Sequence, residues 1–172
     1  MKELKHYIEV LAVILMTCPI CTSQTIDSLY SLRLQGQLSI LAGAGGSNGV
    51  HAGARYNISN SSSVELTYGI IPFIEIAGEQ AKIIGTSYNY YLHPSTSSTG
   101  FFSFLLSYFR TETTEGRIKG DFFILSPTFG IDVSSESSFG LLIRMGVGTA
   151  VGPSTSGKIV FNFDIGTTYR IL

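Results

Sequence analysis

Few residues of this 172-residue chain could perform acid–base or metal chemistry. Nucleophilic catalysis needs a serine and a histidine within hydrogen-bond reach, and a third group that orients the base. Of the three histidines, only His51 and His93 lie beyond the leading segment, and neither belongs to a recognisable catalytic motif. Two separated histidines also do not make a metal-ligand cluster. We therefore expect no catalytic residue, no metal site and no cofactor, and keep a lipid-modifying enzyme with His51 near Ser47 as an alternative.

The glycine-rich stretch GAGGSNG at 43–49 superficially resembles a phosphate-binding loop. A phosphate loop of that kind also needs a following helix and a Lys-Ser/Thr pair, and both are missing here. A hairpin turn is the better interpretation of this stretch.

The charged residues indicate a different kind of site. Arg144 and Asp164 lie at equal distances from a turn centred near Ser154, so they should face each other across a hairpin. Charges enclosed in a protein interior are tolerable only when they pair. We predict an internal ion-pair network that plugs the interior, with a gated channel opened by pair exchange as the alternative. Its predicted members are Arg33, Arg55, Glu65, Asp132, Arg144, Asp164 and Arg170.

The composition excludes several classes of protein. Only 13% of the residues are charged, whereas soluble domains average roughly 25%. The net charge is −1, with no excess of Lys and Arg to neutralise phosphates, which argues against nucleic-acid binding. The 19 glycines, 9 tyrosines and 11 phenylalanines argue against a disordered chain and against a helix bundle.

Residues 1–23 have the three parts of a secretory signal peptide. Lys2 and Lys5 form a charged start, residues 10–16 form an apolar run, and small residues end the segment at 21–23. We predict cleavage between Ser23 and Gln24. The apolar run is far shorter than the roughly 20 residues of a spanning helix, which argues against a membrane anchor.

A lipoprotein acylated on Cys18 or Cys21 is the second interpretation of the leading segment. Cleavage after Ser23 would remove both cysteines, so the mature chain would need no disulfide. The predicted organisation is then a signal peptide at 1–23, a short N-terminal segment at 24–31 and one domain at 32–172.

From residue 32 onward the chain alternates apolar and polar residues with a period of two, as strands with two different faces do. The breaks between the alternating segments are rich in Gly, Ser, Pro and Asn, as turns require. The pattern predicts strands at 32–44, 50–59, 64–71, 80–93, 101–111, 121–134, 139–152 and 158–172.

The polar face is the one that should line an interior. It carries few charges, whereas a soluble surface is about a quarter to a third Lys, Arg, Glu and Asp. The other face is apolar for about ten residues per strand, near the length with which a tilted strand crosses a bilayer. We predict an all-β, eight-stranded antiparallel up-and-down transmembrane barrel, polar inside and apolar outside. A secreted soluble barrel that binds an apolar ligand remains the alternative.

The signal segment, the eight alternating segments and the last strand VFNFDIGTTYRIL resemble the small outer-membrane β-barrels of diderm bacteria, of the OmpA/OmpX type. In those families an aromatic residue commonly ends the chain and another lies two residues earlier. Here Tyr169 and Ile171 occupy the outward register, and Leu172 is one residue extra.

The resemblance implies residence in the outer membrane, with lipid and the outer-membrane assembly machinery as partners, the latter through Tyr169, Ile171 and Leu172. It places both termini in the periplasm, and puts outer loops at 45–49, 72–78, 111–119 and 152–157. We expect a monomer with a side-chain-filled lumen and a structural or surface-interaction role. A small-solute pore is the first alternative.

Overall fold

The computed structural model describes residues 33–71, 79–94, 97–113, 118–134, 138–153 and 157–171. The predicted signal peptide, its cleavage position at Ser23 and Gln24, the segment at 24–31 and Leu172 lie outside the described residues. Within the described ranges, no helix is long and apolar enough to span a bilayer.

Eight antiparallel strands form one closed barrel in which each strand pairs with its neighbours in sequence, and the last strand pairs with the first. This confirms the predicted fold class. The strands are β1 (Leu38–Gly45), β2 (Gly49–Ser59), β3 (Ser62–Ile71), β4 (Glu79–Tyr91), β5 (Ser98–Thr113), β6 (Ile118–Ser134), β7 (Phe139–Val151) and β8 (Lys158–Arg170). We call the end with the β1–β2, β3–β4, β5–β6 and β7–β8 connections the loop end, and the opposite end the terminal end.

The first strand begins at Leu38, so the prediction of a strand from residue 32 was wrong for residues 33–37. Gly36 has a φ of +81°, a left-handed conformation that interrupts an extended strand. Its N–H donates to the Asn57 carbonyl at 2.9 Å, which turns the segment across the terminal end of the barrel. Alternation alone cannot reveal this turn, because the pattern of residue types continues through it.

The two faces of the wall have the predicted polarity. Ile40 and Phe163 point outward and are each 51% exposed, whereas Arg144 and Asp164 point inward and are each 1% exposed. The barrel is therefore polar inside and apolar outside, which is the reverse of a soluble barrel.

The β1–β2 turn folds into the barrel instead of forming an outer surface loop. Ser47 and Asn48 in this turn are buried. In the amide orientation that satisfies both ends of Asn48, its nitrogen donates to Ser107 Oγ and its oxygen accepts from Arg144 Nη2, each at 3.1 Å. Gly85 leaves space for this insertion, since a Cβ there would lie 2.7 Å from the Asn48 side chain. The turn therefore fills the lumen at the loop end.

β2 and β3 lie so close together at Gly53 that a side chain there should lower the stability of the barrel. A Cβ at this position would overlap the backbone carbonyl of Leu66, whereas a Cβ at Gly120 would meet nothing within 4 Å. We expect Gly53→Ala to destabilise the barrel by about 1–3 kcal/mol through overpacking, and Gly120→Ala to leave it near the wild-type value. Thermal unfolding followed by circular dichroism measures both, and equal midpoints for the two variants would contradict the register described here.

Candidate functional site in the barrel lumen

Side chains fill the lumen in layers. Ile83, Phe109, Ile124 and Ala150 form a buried apolar cluster towards the loop end. Tyr91, Phe101 and Leu142 form a second cluster, nearer the terminal end. Polar and charged side chains occupy the rest of the cross-section, as expected for eight strands, which enclose a space just wide enough for side chains.

The charged side chains form a continuous chain of ion pairs along the lumen. Asp132 binds both Arg33 (3.2 Å) and Arg55 (2.6 Å). The shortest nitrogen–oxygen distance between Arg55 and Glu65 is 2.7 Å, from Nη2 to Oε1. These contacts join β2, β3 and β6 with the segment that precedes β1.

The chain continues through Arg144 on β7. Arg144 Nη1 lies 2.8 Å from Glu65 Oε2, and its Nη2 lies 2.6 Å from Asp164 Oδ2. Arg144 and Asp164 are directly paired in register across the β7–β8 hairpin, as their spacing predicts. The structure thus brings together six of the predicted members: Arg33, Arg55, Glu65, Asp132, Arg144 and Asp164.

The seventh predicted member, Arg170, lies apart from the centre of this chain. Its side chain is half-buried and lines a cavity at the terminal end, together with Arg33 and Arg55. It marks the rim of the lumen on β8.

Arg33 reaches the network from the turn before β1, not from a strand. Its Nη2 donates to the Asp132 carbonyl at 3.2 Å and to Ser134 Oγ at 3.1 Å. Its guanidinium carbon also lies 4.9 Å from the centre of the Tyr91 ring, within the range of a cation–π contact. One buried cation therefore holds the segment of residues 33–37 against the terminal end of the barrel.

Two hydroxyl groups that donate to the carboxylates of the network were not predicted from the sequence. Ser87 Oγ donates to Glu65 Oε2 at 2.9 Å, and Ser134 Oγ donates to Asp132 Oδ1 at 3.0 Å. Ser87 lies directly opposite Glu65 in the β3–β4 ladder, so the hairpin register was the signal that could have identified it. Buried carboxylates need these additional donors because Coulomb attraction alone seldom offsets their desolvation.

His51 is also part of the lumen. Its Nδ1 lies 3.1 Å from the Gly49 carbonyl and its Nε2 lies 3.7 Å from Asp164 Oδ1. His93 follows β4 and is exposed at the terminal end, so the two histidines lie towards opposite ends of the barrel. In the described ranges, no group of three or more His, Cys, Asp and Glu side chains could hold a metal ion. The absence of enzymatic function stays a prediction.

Small cavities lie between the described side chains of the lumen. One of about 20 Å³ lies at the terminal end, and one of about 10 Å³ lies beside Arg55, Glu65 and Arg144. Each has room for about one water molecule. The lumen can therefore hold and neutralise charge, but its packing provides little free space for a solute.

No family model matches the sequence, and no curated protein matches it. Among solved structures, the chain is similar to the N-terminal β-barrel domain of OprF from Pseudomonas aeruginosa, with a TM-score of 0.61, 11% identity, and coverage of 80% of this chain and 98% of that one. It is also similar to Neisserial surface protein A, with a TM-score of 0.53, 13% identity, and coverage of 78% and 95%. Sequence identities this low show a similarity of fold alone. That similarity of fold confirms the resemblance inferred from the sequence.

Proposed function

We propose that this chain is an integral protein of the bacterial outer membrane with a closed, side-chain-filled lumen and a structural or surface-interaction role. The observation that carries the proposal is the apolar exterior. Large apolar side chains on the outer wall are about half exposed around the barrel, among them Ile40, Leu66, Ile84, Phe104, Phe129, Met145 and Phe163. A soluble monomer rarely exposes an apolar surface of more than a few hundred Å², whereas lipid accommodates it.

The ends of this apolar surface carry the residues that bilayer interfaces favour. Tyr56, Tyr90 and Tyr169 are exposed on the outer wall at the terminal end, and the rings of Phe139 and Tyr169 pack there with centroids 5.0 Å apart. At the loop end the outer wall becomes charged, with Lys82 Nζ 2.6 Å from Glu112 Oε2. An aromatic girdle and a charged boundary at the ends of the apolar surface are typical of transmembrane barrels.

The terminal strand supports assembly into the outer membrane. Tyr169 and Ile171 are exposed on the outer wall, and the Ile171 N–H donates to the Leu38 carbonyl at 2.9 Å. Because β1 pairs with β8, every strand has a neighbour on both sides. The backbone N–H and C=O groups are then paired within the barrel, as they must be in the hydrocarbon region of a bilayer. We propose that the outer-membrane assembly machinery recognises this strand. The folded chain then resides in the outer membrane as a monomer with its termini in the periplasm.

The closed lumen supports a structural role over the pore alternative. A permeating solute would have to displace Arg33 from the terminal end and Asn48 from the loop end, and separate buried ion pairs between them. Breaking such a pair leaves an uncompensated buried charge, which opposes opening.

Fractionation of cells that express the full chain tests the location. We expect the protein in the outer-membrane fraction, released by detergent and not by high salt, because its contact with the bilayer is apolar. The folded barrel should also migrate differently from the boiled chain on a gel. Recovery in the soluble periplasmic or secreted fraction would favour the soluble, ligand-binding alternative.

An outward charge distinguishes a lipid-facing wall from a water-facing one. Met145 lies at the middle of β7 and is 59% exposed, whereas Val151 ends the strand at the loop end. In lipid vesicles we expect Met145→Arg to cost about 2–4 kcal/mol of unfolding free energy and Val151→Arg about 0–1 kcal/mol. Urea titration measures both. In a soluble barrel both substitutions would be near neutral, since each replaces an exposed side chain.

Substitution of Glu65 tests whether the buried ion pairs stabilise the filled lumen. It bridges Arg55 and Arg144, so Glu65→Gln leaves two buried guanidinium groups with less counter-charge, and we expect a loss of about 3–5 kcal/mol in unfolding free energy. The matched control Glu112→Gln alters a salt bridge on the outer wall and should lose much less.

Planar-bilayer recordings complete this test. We expect no steady conductance from the wild type, because its lumen is filled. A reproducible wild-type conductance would overturn the plug and favour the small-solute pore.

A further inference from the structure

The glycine-rich stretch at 43–49 ends in the pair Asn48–Gly49, whose chemistry the proposed function does not use. In an Asn–Gly pair the backbone nitrogen of the glycine can attack the side-chain carbon Cγ of the asparagine, because glycine has no Cβ that hinders the approach. A five-membered succinimide ring forms, and the side-chain nitrogen leaves as ammonia. Water then opens the ring at either of its two carbonyl groups, which gives aspartate or isoaspartate. The pair is therefore reactive wherever its backbone and side chain are free to meet.

The fold requires both members of this pair. Asn48 fills the loop end of the lumen, where it contacts Ser107 and Arg144. Gly49 has a φ of +61°, and a Cβ at this position would overlap the backbone carbonyl of Ile70. A side chain at position 49 would be strained and would also clash. Replacement of either residue would thus disturb the β1–β2 turn, so the closure of the loop end includes the reactive pair.

Folding holds the Asn48 amide away from this reaction. Asn48 is 1% exposed. Its amide nitrogen donates to Ser107 Oγ and to the Ser47 carbonyl, and its oxygen accepts from Arg144 Nη2, each at 3.1 Å. Gly49 begins β2, and its pairing with β1 fixes its backbone. Attack of the Gly49 nitrogen on Asn48 Cγ would break these contacts, so it requires a chain in which the turn is open or unfolded.

We propose that Asn48 is a site of spontaneous deamidation that is open in the unfolded chain and shielded in the folded barrel. The isoaspartate product fits the barrel poorly, because it continues the chain through its side chain and adds one carbon to the backbone. Gly49 could then not keep its place opposite Gly45 in the β1–β2 ladder.

The aspartate product also fits poorly. Its side chain has no N–H to donate to the Ser47 carbonyl, which Asn48 contacts in the unmodified barrel. It also adds a buried carboxylate beside Arg144, which already binds Glu65 and Asp164. A chain that is modified before it folds should therefore close its loop end less well. This inference does not depend on the membrane residence argued above.

The first test compares the purified full chain folded in detergent micelles with the same chain kept unfolded in urea. Both are held at the same mildly alkaline pH, which favours loss of the Gly49 amide proton. Mass spectrometry of proteolytic fragments measures the replacement of NH₂ by OH at Asn48, and chromatography separates isoaspartate from aspartate. We expect conversion to be faster in urea by about tenfold or more, because it follows the population in which the turn is open.

Asn162 is the internal control. It is also buried in the lumen, but it is followed by Phe163, whose side chain hinders the attack. We expect little conversion at Asn162 in either state, so a difference confined to Asn48 reports the exposure of the Asn–Gly pair.

The second test measures the consequence for folding. Wild-type chains aged in urea are diluted into micelles, and the folded and unfolded fractions are separated by their gel migration. We expect chains converted at position 48 to be enriched in the unfolded fraction. Asn48→Gln is the matched variant, because a glutamine side chain closes a six-membered ring slowly, and aging should leave its refolded fraction unchanged.

Three results would overturn the proposal. The first is equal conversion of Asn48 in the folded and the unfolded chain, and the second is no conversion in urea. The third is an equal content of converted chains in the folded and unfolded fractions after refolding.

Discussion

The structure depends on the narrowness of its lumen. Eight strands closed on themselves leave room for side chains and little else, so an inward charge must find its partner among other inward side chains. Glu65 shows the consequence, because it binds Arg55 on the neighbouring strand and Arg144 across the lumen. The ion pairs therefore connect opposite walls. The contacts that compensate the buried carboxylates also hold the shape of the barrel.

Long inward side chains require short ones beside them. Gly43 and Gly45 lie against His51 and Asp164, where an added Cβ would approach the His51 ring to 3.0 Å and the Asp164 carboxylate to 2.7 Å. These two glycines therefore leave space for the inward side chains of His51 and Asp164. The same need for space explains why the polar face of each segment looks too small and too weakly charged for a soluble surface: that face has to fit inside a cylinder.

The sequence predicted the interactions between residues that are close along the chain, and not those between residues that are far apart. Alternation is local, and it identified the inward face of every strand. The Arg144–Asp164 pair is local too, because a hairpin fixes which residues are opposite. The contact between Arg144 and Glu65 depends on how the sheet closes, which no local pattern contains. The turn at Gly36 and the insertion of Asn48 were also beyond prediction. The turn bonds to Asn57 of β2 where the alternation of residue types continues unchanged, and Asn48 contacts the distant strands β5 and β7.

The two ends of the lumen are closed by different means, and this bears on the proposed role. At the loop end a tight turn inserts Asn48 between Ser107 and Arg144, so closure is part of the sheet itself. At the terminal end the segment at residues 33–37 crosses the mouth, and it is held by Arg33 and by backbone hydrogen bonds to Asn57. The pairing of β1 with β2 restrains the first closure on both sides. The second closure joins β2 through its backbone and β6 through Arg33. Closure of the terminal end and the chain of ion pairs therefore depend on the same buried side chain, since Arg33 also binds the Asp132 carboxylate.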